Sequence, residues 1–140
     1  MIEIFELNDI DNIAAKIINN YAAKIYCFEG EMGSGKTTLI TALANQLKVS
    51  DHVSSPTYSL VNEYHYTEGK IYHLDLFRIK NIQELLDIGI LDILYNNQYC
   101  FIEWPQIVKP LLEEDYIDIT LTKYAENSRS IEINLSKIGD

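Results

Sequence analysis

Apolar residues follow two alternating rhythms along this 140-residue chain, one of period about 3.6 and one of short continuous runs. Ile10, Ile13, Ala14, Ile17 and Ile18 lie on one helical face, with Asn8 or Asp9 ahead of them as a cap, and predict a helix as the first element. Lys24-Ile-Tyr-Cys-Phe28 is a short buried strand by its pattern, ended abruptly by Glu29-Gly30. A glycine-rich turn at Gly30–Gly35 follows, and from Lys36 to Leu47 the helical rhythm returns in Leu39, Ile40, Leu43 and Leu47. Ser54-Ser55-Pro56-Thr57 breaks regular structure. The β-rich runs Tyr58–Tyr66 and Lys70–Leu76, separated by Thr67-Glu68-Gly69, predict a hairpin. Asn81–Ile88 predicts a capped helix with Ile82, Leu85 and Leu86 inward and Gly89 as its stop. Asn97–Glu103 predicts a strand, 105–112 a short helix opening at Pro105, and Tyr116–Leu121 with Ser130–Leu135 two final antiparallel strands.

Helices and strands alternate first and hairpins follow, the order expected of a three-layer α/β domain with a mixed parallel/antiparallel sheet. No repeat, low-complexity tract or linker divides the chain, so residues 1–140 read as a single domain.

The strongest chemical signal is Gly30-Glu-Met-Gly33-Ser34-Gly35-Lys36-Thr37, which matches G-x-x-x-x-G-K-[ST] between a predicted strand and a predicted helix. Glycines let successive backbone N–H groups converge on one phosphate oxygen, and the helix that opens there adds its own N–H groups and dipole. Gly33, Ser34, Gly35, Lys36, Thr37 and Thr38 are therefore the expected phosphate-binding residues of a P-loop NTPase-like domain. Lys36 reaches the β- and γ-phosphates, the Thr37 hydroxyl ligates Mg²⁺, and Thr38 adds a hydroxyl and an N–H to the α-phosphate.

A Mg²⁺–nucleotide site also needs an acid at the tip of a neighbouring strand. Glu103 ends the apolar run Tyr99–Ile102, and Asp75 follows Ile71–Leu74. Either carboxylate can hold the metal or orient the attacking water; Glu103 is assigned to the metal and Asp75 to the water, and the residues alone leave the reverse open. Thr57 follows the first helix after the phosphate loop, the connection in which switch NTPases keep a hydroxyl that senses the γ-phosphate. No Asn-Lys-x-Asp element occurs to read guanine, so ATP is favoured.

Composition narrows the class further. At 47% hydrophobic and 23% charged residues the chain is of ordinary globular type, and no run of about 18 apolar residues offers a membrane span. The start MIEIFELNDI lacks the basic and apolar segments of a secretion signal, and Cys27 and Cys100 sit inside apolar runs, so a reducing cytoplasm is expected. A net charge of −10 argues against a protein that itself grips nucleic acid. Residues 81–118 carry one basic residue, Lys109, against eight acidic ones, which suits a solvated face or a docking surface for a basic partner.

Four blocks in order give the chain a resemblance to the bacterial tRNA threonylcarbamoyladenosine biosynthesis ATPase family TsaE, also called YjeE. They are Glu31-Met-Gly-Ser-Gly-Lys-Thr-Thr-Leu39, Val53-Ser-Ser-Pro-Thr-Tyr58, His73-Leu-Asp-Leu-Phe-Arg78 and Ile102-Glu-Trp-Pro105. The first is common to many NTPases; the other three, in this order and in so short a chain, are specific. The resemblance implies an enzyme that binds ATP/ADP and Mg²⁺ and hydrolyses ATP weakly without its partners. Those partners are the two-protein threonylcarbamoyl transferase core (TsaB and TsaD type), which the ATPase resets between turnovers while they hold the tRNA. By motif position it gives Gly33 to Thr38 to the phosphates, Thr37 and Glu103 to Mg²⁺, and Asp75 and Thr57 to hydrolysis and switching; Lys36, among the phosphate ligands, is counted as catalytic with those two.

The chain departs from the family at three places. Phe77 stands where a Tyr is usual, and Gln106 where Glu often follows the Trp-Pro pair. In the first helix Ile13, with Asp11 and Asn12 beside it, lies near the place of a Thr thought to help hold adenine. Trp104, the only tryptophan, is expected beside the metal acid. His65 and His73 can face each other only if the hairpin register allows it. Two rivals share the phosphate loop: a small-molecule kinase, which would need an arginine-bearing lid where this chain has only Arg78 and Arg129, and a nucleotide-gated binding module with negligible turnover.

Overall fold

Ile25, Tyr26, Cys27 and Phe28 are all buried, which a strand satisfies only when both faces of its sheet are covered. They form β2 (Ile25–Glu29), the centre of a seven-stranded sheet. The computed structural model describes residues 1–51, 53 and 60–138. The other strands are β1 (Ile2–Glu6), β3 (Val61–Tyr66), β4 (Gly69–Asp75), β5 (Tyr99–Glu103), β6 (Tyr116–Ala125) and β7 (Ser128–Ser136), in the order β1-β7-β6-β2-β5-β4-β3. β2 runs parallel to both β5 and β6, β4 is parallel to β5, and β3, β7 and β1 are antiparallel additions at the two sides. The expected α/β architecture with a mixed sheet is thus observed.

Strand alternation sends side chains to two separate cores. Tyr26, Phe28, Ile71, Phe101, Ile117 and Ile119 pack beneath α1 (Ile10–Asn20) and α2 (Lys36–Gln46). Ile25, Cys27, Leu74, Cys100 and Ile102 face α3 (Ile82–Asp87), α4 (Ile90–Leu94) and the turns at Pro105–Ile107 and Lys109–Leu111. Aromatic rings lock the first layer: Phe101 meets Tyr26 and Phe28 edge-on at centroid separations of 5.4 and 5.9 Å.

Several elements differ from the sequence expectations for identifiable reasons. β1 precedes the first helix; only Phe5 of it is buried, and pairing with β7 rather than its own pattern makes it a strand. Asp9 stands at the N-cap of α1 without a side-chain bond, whereas Asn81 caps α3 by accepting from the Glu84 N–H at 3.0 Å. On α3 only Leu85 points inward; Ile82 and Leu86 are exposed. Gly89 ends that helix at φ 79° and opens α4 at once. Residues 105–112 form two 3₁₀ turns rather than one helix, because Pro110 has no N–H for an α-helical bond back to residue 106. The final hairpin is longer than the alternation suggested: β6 continues through Thr122-Lys123-Tyr124 to Ala125, with a register shift between Lys123 and Ala125. Among the described residues no helix is long and apolar enough to cross a membrane.

Cys27 and Cys100 are fully buried on the α3–α4 side, and burial pushes both thiols up, Cys27 further by its proximity to Asp118. Thiolate is the reactive form, so neither side chain is expected to react in the folded protein. A thiol-specific disulfide reagent should titrate no thiol in native buffer within minutes and both thiols in guanidinium chloride.

Candidate functional site

The polar residues gather where β2, β4 and β5 end. Gly33 (φ 80°) and Gly35 (φ 104°) adopt the left-handed backbone that glycine tolerates, and α2 opens directly from Gly35. The loop is closed by the Ser34 N–H donating to the Glu31 carbonyl at 3.0 Å. At Gly30 a Cβ would lie 2.6 Å from the Leu121 carbonyl oxygen, so the strand-to-loop turn requires glycine through close approach to β6. The orphan N–H groups of the first turn of α2 and its dipole therefore meet the loop at one point.

Lys36 is buried at 6% exposure. Its ammonium donates to the Gly30 carbonyl and lies 3.5 Å from the centre of the Trp104 ring. Burial lowers its pKa from the ordinary lysine value, opposed by the negative charges of Glu103 and Asp75. Among the described residues it makes no ion pair, which leaves its charge for an anion in the loop. Trp104 holds this position at φ 56°, an uncommon backbone for an aromatic residue, and its ring packs against Phe77 at a centroid separation of 4.9 Å with the planes tilted by 50°.

The β4–β5 register sets Asp75 beside Glu103, and both lie on the α2 face of the sheet. Glu103 is 4% exposed, and the Thr37 hydroxyl is 3.3 Å from each of its carboxylate oxygens. A carboxylate and a hydroxyl are hard oxygen donors of the kind a divalent cation takes alongside phosphate and water. Among the described residues no group of three or more His, Cys, Asp or Glu could hold a metal unaided. An ion here must draw most of its ligands from elsewhere, as nucleotide-borne ions do. Asp75 is half-buried and accepts from the Phe77 N–H at 3.0 Å, so it also caps the turn after β4. A small cleft of about 140 Å³ joins Gly33, Ser34, Lys36, Thr37, Asp75 and Glu103 under Phe77 and Trp104. The Ser34 hydroxyl is buried without a hydrogen-bond partner among the described residues, and Thr38 is exposed on the first turn of α2. Thr57 lies outside the described residues, as does His52.

Three further side chains enter the site that sequence reasoning did not place there. His73, fully buried on β4, is 2.7 Å from Glu103 through Nε2 and 2.9 Å from the Tyr64 hydroxyl through Nδ1. The hairpin register puts His73 opposite Asn62 and His65 opposite Lys70, so the two histidines do not pair. Strand alternation did carry a signal, since His73 shares a face with Asp75. Arg129 had none: it stands at the start of β7, 7% exposed, and reaches the phosphate loop only because the hairpin extends past residue 121. Its guanidinium donates to Ser34 O (3.0 Å) and Gly33 O (3.4 Å) in the loop, and to Ala125, Glu126 and Ser128 carbonyls in the hairpin. Among the described residues it has no carboxylate partner.

The sequence model of the family described as "Threonylcarbamoyl adenosine biosynthesis protein TsaE" matches residues 5–131. A tRNA threonylcarbamoyladenosine biosynthesis protein TsaE of Borreliella burgdorferi is 38% identical over 112 residues, 79% of this chain and 81% of that protein. The Haemophilus influenzae protein of the same name is 35% identical over 121 residues, 86% of this chain and 75% of its own. The crystal structure of Bacillus subtilis YdiB superimposes with a TM-score of 0.70 over 99% of this chain and 88% of that one, at 20% identity, a likeness of fold.

Arg129 donates from all three of its nitrogens to five carbonyls of two segments, a bridge that lysine cannot reproduce. Replacing it by Met leaves those carbonyls short of donors and the loop untethered. Arg129→Met should weaken nucleotide binding about tenfold, equivalent to roughly 1.4 kcal/mol, as followed by Trp104 fluorescence. A circular dichroism spectrum unchanged from wild type would show that the fold is retained; equal affinity would show that the loop holds its shape without the arginine.

Proposed function

This chain belongs to the TsaE family, and we propose that it is a Mg²⁺-dependent ATPase acting in tRNA threonylcarbamoyladenosine formation. The observation that carries this reading is the meeting of Lys36 and Thr37, at the start of α2, with Glu103, at the end of the adjacent parallel strand. Gly33, Ser34, Gly35, Lys36, Thr37 and Thr38 bind the phosphates of ATP or ADP. Thr37 and Glu103 hold Mg²⁺, which when bound neutralises charge on the β- and γ-phosphate oxygens.

In this reading Lys36 leaves the Gly30 carbonyl for the β- and γ-phosphates, a short exchange of one acceptor for a more negative one. Asp75, on the same face as Glu103, orients the attacking water, and its bond from the Phe77 N–H keeps the carboxylate pointed. Thr57 senses the γ-phosphate in the switch role that its place in the sequence suggests. Phe77 and Trp104 cover the cleft and limit the access of bulk water.

Transfer to a small-molecule acceptor is disfavoured by the arginines. Arg129 is committed to backbone carbonyls and Arg78 is exposed, so neither stands as a lid over an acceptor. We place the single-domain protein in the cytoplasm, with the two-protein transferase core (TsaB and TsaD type) as its partners. Those partners hold the tRNA, because a net charge of −10 opposes a phosphate backbone.

Steady-state ATP hydrolysis, measured alone and with the purified transferase partners, tests the proposal. Lys36→Ala should lower phosphate release on the order of 10²-fold in both settings. Equal release by wild type and Lys36→Ala in both would leave a nucleotide-gated binding module. Glu103→Ala should lose Mg²⁺-dependent turnover far more than nucleotide affinity; a Mg²⁺ affinity unchanged in that variant would move the metal role to Asp75.

A further inference from the structure

Tyr64, His73 and Glu103 form a buried polar line across three neighbouring strands. They sit on β3, β4 and β5 at 3%, 0% and 4% exposure, all on the face covered by α2. Polar side chains so deep are costly unless each is hydrogen-bonded, and an apolar residue at position 73 would fill the same space without that cost. The line is fully bonded: Nε2 of His73 is 2.7 Å from Glu103 Oε2, and Nδ1 is 2.9 Å from the Tyr64 hydroxyl. A carboxylate can only accept, so Nε2 carries the hydrogen and donates to Glu103, while Nδ1 shares a hydrogen bond with the Tyr64 hydroxyl. The Tyr64 hydroxyl also accepts from Asn62 Nδ2 at 3.4 Å, and its ring lies 5.9 Å from that of His73.

The bond to Oε2 stops Glu103 from rotating about its last torsion. Oε1, facing the Thr37 hydroxyl at 3.3 Å, keeps its remaining lone pairs for another ligand. We propose that His73, oriented by Tyr64, is a positioning residue that holds the Glu103 carboxylate aimed at Thr37 and so preforms the cation half of the nucleotide site. This rests on the reading of Glu103 as the Mg²⁺ carboxylate. His73 touches neither nucleotide nor reacting atoms; it acts through Glu103, as partners behind a metal ligand do. It lies within the His73–Arg78 block, so the motif carries a support for the acid of another strand as well as the acid Asp75.

The test separates cation binding from folding and from phosphate binding. ADP affinity is measured by Trp104 fluorescence with Mg²⁺ and again with a chelator, and the ratio of the two gives the Mg²⁺ increment. His73→Leu should reduce that increment about tenfold, in the range seen for partners of metal ligands, with affinity in chelator kept within about twofold. His73→Gln, whose amide can still donate to Glu103, should recover most of the increment. Tyr64→Phe, which removes one hydroxyl, should lower it by a smaller factor and serves in place of His73→Leu should that variant not fold. An increment unchanged in His73→Leu, or in Tyr64→Phe where only that variant folds, overturns the positioning role, as does an equal loss with and without Mg²⁺. A wild type whose ADP affinity ignores Mg²⁺ removes the metal reading of Glu103 itself, and the positioning role falls with it.

Discussion

A single register, Phe28 opposite Glu103 in the parallel pair β2–β5, decides where the polar chemistry of this molecule can lie. It brings the acid at the end of β5 level with the point where β2 gives way to the phosphate loop. Burial enforces it: Tyr26 and Phe28 face α1 and α2, Ile25 and Cys27 face α3 and α4, and a slip by one residue would exchange the two sets. The edge-on packing of Phe101 against both Tyr26 and Phe28 reads the same register from the neighbouring strand. Glu103 is thus delivered to Thr37 by the packing of apolar residues, and β4, in register with β5, delivers Asp75 beside it.

Electrostatics then shapes what this junction can bind. Two carboxylates face a cleft in a protein of net charge −10, a poor place for a polyphosphate without local positive charge. Lys36 supplies it from a buried position over the Trp104 ring, where burial lowers its pKa while Glu103 and Asp75 oppose that shift. Arg129 adds a second buried cation behind the loop, bonded only to carbonyls, so its charge is not neutralised by an acid among the described residues. These charges and the N-terminal dipole of α2 converge on the loop, while His73 and Tyr64 restrain the acid that faces it.

How much of this was legible in the sequence depends on how local the cause is. The phosphate loop could be read directly, because its glycines, lysine and threonine act within eight consecutive residues. Glu103 and Asp75 were legible as acids ending apolar runs, since strand ends are marked by the runs themselves. β1 was not, because its strand character comes from pairing with β7 at the other end of the chain. Arg129 was hidden by the same kind of distance: it touches the loop 95 residues away, through an extension of β6 and β7 that exposed polar residues do not announce. His73 needed the β3–β4–β5 registers to be recognised as a partner of Glu103 and not of His65. The helix expected at 105–112 became two 3₁₀ turns because the effect of Pro110 on the bond to residue 106 outweighed the apolar spacing.

On the proposed function, the β2–β5 register builds one cation-dependent nucleotide site from Thr37 and Glu103. A crystal structure with ADP and Mn²⁺, using anomalous scattering to locate the ion, measures this most directly. The ion should give a single strong peak at about 2.1 Å from Thr37 Oγ1, with Glu103 bound to it directly or through one water. A peak held by Asp75 without Glu103, or ADP bound away from the loop at Gly33–Thr38, would contradict it.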